Sequence, residues 1–92
     1  MTAQELLKRY QVGELLFKNA DLRGVDLSYA ELRRICLYGA DLTGANLVGT
    51  NLADADLRYA RFDGADLHYA NLTGSNRQGW STQGANLGSI FP

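Results

Sequence analysis

Residues 20–44 read ADLRG VDLSY AELRR ICLYG ADLTG, and their five-residue beat decides the fold. Leucine falls at Leu22, Leu27, Leu32, Leu37 and Leu42, and the beat runs on through Leu47, Leu52, Leu57, Phe62, Leu67 and Leu72. Two residues ahead of each stands a small or β-branched side chain, mostly alanine, usually with Asp or Asn between. On an α-helix five residues advance about 500°, which scatters the leucines around the axis. On a flat strand an odd period sends them to alternate faces. One common interior requires the chain to turn a corner in every repeat. The alanine and leucine then point inward together, the residue between them points out, and the next two make the corner. Corners of about 90° close a square after four repeats, so a coil holds about 20 residues and successive coils stack about 4.8 Å apart. No coil buries its core alone, which is the logic of a solenoid.

The repeats ADLRG at 20–24, ADLTG at 40–44 and ANLTG at 70–74 resemble those of the pentapeptide-repeat proteins, whose pattern is roughly A(D/N)LxG. That resemblance implies an all-β solenoid, a right-handed quadrilateral parallel β-helix. It implies a shape far more than an activity. Twelve regular repeats centred on Phe17 to Leu72 supply three coils, and the remainder supplies most of a fourth, so three to four coils are expected.

A chain of 92 residues reads as one domain. Residues 1–13 form a short N-terminal α-helix cap: Thr2 and Glu5 have capping-box spacing, Leu6, Leu7 and Tyr10 make an apolar stripe, and Gly13 is a stop. Its expected use is to lid the first coil, with a partner-binding helix as the rival reading. The β-helix then occupies 14–92, regular over 15–76 and degenerate over 77–92. The net charge of −1 favours neither nucleic acid nor membrane, no apolar run reaches a membrane span, and Glu5, Lys8 and Arg9 exclude a signal peptide. Cytoplasmic localisation is the expectation.

Residues twenty apart should share a column. Gly24, Gly44, Gly64 and Gly84 make one corner, read as a turn needing positive φ or as a flat edge open to another surface. Tyr29, Arg34, Asp54, Tyr59 and Tyr69 hold the same position elsewhere, so those corners are expected to use a different turn. Asp26, Asn46, Asp66 and Asn86 alternate, which keeps like charges two rungs apart. Arg58 should lie over Tyr38. Near the end Arg77 and Thr82 take leucine slots and Trp80 an alanine slot, so this coil should bulge or the indole should fold over the end. Residues 78–92 carry no charge. Trp80, Ile90 and Phe91 therefore either seal the shaft or form a self-association surface giving a homodimer through the C-terminal coil.

Chemistry is sparse. His68 is the only histidine and Cys36 the only cysteine, so no metal set, disulfide or nucleophile–base pair is apparent. No cofactor-binding glycine pattern occurs, and no catalytic, cofactor or metal residue is assigned. The expected function is a non-catalytic structural or protein-interaction module, not an enzyme, with Tyr29, Tyr38, Tyr59 and Tyr69 as its docking surface for an unidentified protein. The alternative, implied by resemblance, is a DNA-mimic modulator of a type II topoisomerase such as gyrase. Eight acidic residues against five arginines over 20–76 is far below DNA's charge density, and direct nucleic-acid binding is not expected.

Overall fold

The computed structural model describes residues 1–92. One helix, α1 (Ala3–Gln11), precedes a body without continuous strands, in which isolated parallel bridges join residues twenty apart from Leu16↔Cys36 to Asn71↔Phe91. The chain therefore winds as a β-solenoid, and its five-residue repeats are dealt among four faces. The inward leucines from Leu22 to Leu72, together with Phe17 and Phe62, are at most 2% exposed. Each stabilises by about 2 kcal/mol relative to leaving it in water. Thr50, in an alanine slot, is the one buried polar residue, and its hydroxyl donates to the Leu27 carbonyl at 2.8 Å.

The hydrogen-bond accounting explains the middle residue of each repeat. Around Leu42, the Asp41 N–H donates to Ala20, Leu42 to Arg61, Gly44 to Asp63, and Ala45 back to Leu42 across the corner. Only the fifth N–H, that of Thr43, lacks a backbone acceptor, and it donates to Asp41 Oδ1 at 3.0 Å. The same bond recurs at Asn46, Asn51, Asp56, Asp66 and Asn71, whose Oδ1 each accepts the N–H of the residue two places on. A side-chain oxygen at that slot completes the satisfaction of the backbone, which is the physical reason for Asp or Asn.

The corners correct one expectation. Tyr29, Arg34, Asp54, Tyr59 and Tyr69 do not switch turn: all have φ between 59° and 68°, like the glycines. What makes room is the next coil. The Tyr29 ring lies over Gly49, Asp54 over Gly74 and Tyr59 over Gly79, each so close that a Cβ on the glycine would meet it within 2.6 Å. Tyr29, Asp54 and Tyr59 are thus each accommodated by a glycine twenty residues later, whereas Arg34 is followed there by Asp54 and Tyr69 by Ser89.

At the N-terminal end α1 lies on the first coil. Thr2 Oγ1 accepts the Glu5 N–H and Glu5 Oε1 accepts the Thr2 N–H. Leu6 is fully buried in the core, the amino terminus donates to the Asp21 carbonyl at 3.0 Å, and the Tyr10 hydroxyl donates to the Arg33 carbonyl at 2.8 Å. At the far end no bulge forms. The ladder continues through Arg61↔Ser81, Asp66↔Asn86 and Asn71↔Phe91. Trp80 folds over the shaft and packs edge-on against Phe62 at 5.6 Å. Over residues 80–82 Trp thus stands in the alanine slot and Thr in the leucine slot.

Candidate docking surfaces

The four tyrosines do not share a face. Tyr29 and Tyr69 stand in one corner column, two rungs apart, and are 76% and 53% exposed. Tyr59 stands in the column of Asn19, Gly39 and Gly79, on the diagonally opposite edge of the square. Tyr38, beside it, is half-buried: Lys18 Nζ is 5.5 Å and the Arg58 guanidinium 5.1 Å from its ring, and Tyr59 packs edge-on at 5.5 Å. The expected single tyrosine surface is therefore two separated pairs. Tyr38 is spent on packing and cation–π contact rather than held free for a partner.

The C-terminal end is built differently. Trp80, Leu87 and Ile90 pack partly buried against the core, with the Arg77 guanidinium 5.6 Å from the indole. Phe91 occupies the outward column of Glu31, Asn51 and Asn71 and is 55% exposed. Trp80 and Ile90 thus lie across the shaft while Phe91 stands on its rim. Beneath them is a feature that side-chain reasoning missed. In every internal rung the inward residue and the corner residue donate N–H bonds to the following coil. In the last coil the corresponding N–H groups of Arg77, Gly79, Thr82, Gly84, Leu87 and Ser89 have no backbone acceptor, and the carbonyls of Ser75, Trp80 and Ala85 have no donor.

The charged groups are largely consumed within the fold. Asp21 pairs with Arg23, Asp54 with Arg33, Asp56 with Arg58, Asp63 with Arg61 and Glu14 with Arg9. The Arg23 guanidinium holds the Asp21 carboxyl well below the usual range, and Arg58 does the same for Asp56. Hydroxyl donors lower three more: Ser28 acts on Asp26, Thr43 on Asp41 and Ser81 on Asp63. Carboxylates held in that state are poorly suited to donate protons near neutrality. Cys36 is half-buried, 4.0 Å from Asp56 Oδ2, and His68 lies against Tyr69 with Nδ1 buried and unpartnered. No three His, Cys, Asp or Glu side chains converge. A shallow depression lined by Leu7, Tyr10, Gln11 and Glu31 opens beside α1. No helix is long and apolar enough to cross a membrane.

A four-sided parallel β-solenoid with a five-residue period defines the class of protein. Pentapeptide repeats, in eight copies, are matched over residues 15–44 and 35–74, and the chain belongs to the pentapeptide-repeat family, whose fold is the right-handed quadrilateral β-helix. It is similar to a crystal structure of the pentapeptide repeat protein alr5209 from Nostoc Pcc 7120, at 34% identity and a TM-score of 0.95, covering 97% of this chain and 74% of that one. It is also similar to the pentapeptide repeat protein Rfr23 from the cyanobacterium Cyanothece 51142, at 32% identity and a TM-score of 0.59, covering 83% of this chain and 59% of that one. No curated protein matches the chain.

Proposed function

We propose that the protein is a non-catalytic docking module that engages a protein partner through the end of its last coil. One observation carries this reading: the aromatic Phe91 stands 55% exposed beside a segment, residues 78–92, that bears no charged side chain. A second copy, pairing end to end, is one such partner. DNA mimicry finds no support in the charge layout, because Asp21, Asp54, Asp56 and Asp63 are each neutralised by an arginine.

The test is light scattering on the wild type and on Phe91→Lys, which puts a charge on the rim without touching the shaft. Self-pairing predicts a dimer that falls to monomer in the variant. If the wild type is already monomeric, capture from host lysate should retain a partner on the wild type and lose it on the variant. Equal capture by both proteins would refute the proposal.

A further inference from the structure

The four faces of the solenoid differ in how their charge is balanced. Three carry cations of their own: Lys18 and Arg58 on one, Arg23 and Arg61 on the next, Arg33 and Arg34 on another. The face made of residues 25–29, 45–49, 65–69 and 85–89 has two aspartates and no lysine or arginine. Asp26 and Asp66 spend Oδ1 on the N–H groups of Ser28 and His68, while Oδ2 of each accepts no bond within the chain. Neither enters an ion pair. They stand in one outward column with Asn46 between them, two rungs or about 9.6 Å apart. At the edge of the same face the exposed Tyr29 and Tyr69 repeat that two-rung separation. On the other side of the aspartates the corner is Gly24, Gly44 and Gly64, where an added Cβ would meet nothing, so the carboxylates are open to approach.

The opposite face shows what a carboxylate beside a tyrosine takes. There Arg58 donates to Asp56 through Nε at 2.9 Å and Nη2 at 2.8 Å, with its guanidinium 5.1 Å from the Tyr38 ring. A planar guanidinium can fork onto a carboxylate and lie over an aromatic ring at once, which a lysine ammonium cannot. That arginine comes from the chain itself, two places after its aspartate. On the face without cations the same slots hold Ser28, Val48 and His68, so the acceptors and rings are present and the guanidinium must come from outside. We propose that this face docks a protein segment that presents two arginines three residues apart in the polyproline II conformation. Such a segment returns to the same side every three residues, about 9.3 Å, which matches two rungs when it lies along the solenoid axis. Its arginines then meet Asp26 with Tyr29 and Asp66 with Tyr69. The site lies apart from Phe91 and does not depend on the end of the last coil, so Phe91→Lys leaves it intact.

The experiment titrates the peptide acetyl-Pro-Arg-Pro-Pro-Arg-Pro-amide into the isotope-labelled full chain at low salt and follows amide shifts by NMR. Shifts should gather at Ser28, Tyr29, Val48, His68 and Tyr69 and spare residues 41–44 on the neighbouring face. Asp26→Asn and Asp66→Asn keep the oxygen that holds the turn, as Asn46 does, so both variants fold. Each should weaken binding about tenfold, and Tyr29→Ala about threefold. Asp41→Asn, flanked by Arg23 and Arg61, should leave it unchanged. A peptide with lysines in place of both arginines should bind about fivefold more weakly. Shifts absent from this face overturn the proposal. So does a lysine peptide that binds as tightly, or an affinity that survives both asparagine substitutions together.

Discussion

Asp41 accepts the Thr43 N–H and also its hydroxyl, the latter at 2.6 Å, and the pair of bonds gives the middle position of the repeat two separable roles. The backbone bond needs only an oxygen; the charge is optional. Asn46 tests this, because its Oδ1 holds the Val48 N–H in a column between Asp26 and Asp66. Asn46→Ala should cost about 1 kcal/mol in chemical denaturation and be insensitive to salt. Asn46→Asp keeps the turn but stacks three carboxylates about 4.8 Å apart. Its loss should be a few tenths of a kcal/mol and should shrink as salt is added. The Thr43 hydroxyl lowers the Asp41 pKa, and a carboxylate lowered by folding stabilises the fold above its unfolded value of about 3.9 and loses that contribution as pH falls through the folded value. Thr43→Val should therefore flatten the fall of Tm between about pH 4 and pH 2, while an unchanged slope would assign that fall to the other aspartates. The outward direction of this slot was legible from the five-residue beat. Its purpose was not, because it follows from which single N–H is left over once the neighbouring coils have taken theirs.

At the scale of the corner, the glycines divide by what lies over them. A Cβ at Gly44 meets nothing, so Gly44→Ala should cost only the left-handed backbone, about 1 kcal/mol. A Cβ at Gly49 meets the Tyr29 ring at 2.5 Å, so Gly49→Ala should cost more, the ring being driven off the corner. In a Tyr29→Ala background the excess should vanish, and a double-mutant cycle by thermal melts reads it as a coupling between residues twenty apart. Additive losses would show that Tyr29 moves aside freely and that only φ matters. Sequence reasoning failed here by treating each corner alone. It took the Cβ of Tyr29, Tyr59 and Tyr69 as forbidding positive φ, whereas the backbone of the whole coil fixes φ and the side chain then needs only space above it. That space was written in the sequence, as Gly49 twenty places after Tyr29 and Gly79 twenty after Tyr59. The same count modulo twenty separates Tyr59 from Tyr29 and Tyr69, so the split of the tyrosine surface was legible too.

At the scale of the molecule the coils differ in what covers them. Internal coils have a neighbour on each side, the first has α1, and Trp80, Leu87 and Ile90 pack against the core at the other end. Stability in such a stack is a sum of nearest-neighbour interfaces, so a defect acts where it sits. Leu42→Ala, in the middle, opens a cavity between coils and should cost about 3 kcal/mol across the whole body. Trp80→Ala removes a partly exposed ring that covers Phe62, and should cost about 2 kcal/mol, confined to one coil. Hydrogen exchange distinguishes the two. In Trp80→Ala the N–H groups of Ser81, Asn86 and Phe91, which donate to Ala60, Ala65 and Ala70, should lose protection while those of Leu37 and Leu42 keep theirs. In Leu42→Ala protection should fall on both sides of the break. Uniform loss in Trp80→Ala would mean that the body melts as one unit, whereas local loss would show that each coil is held by its nearest neighbours.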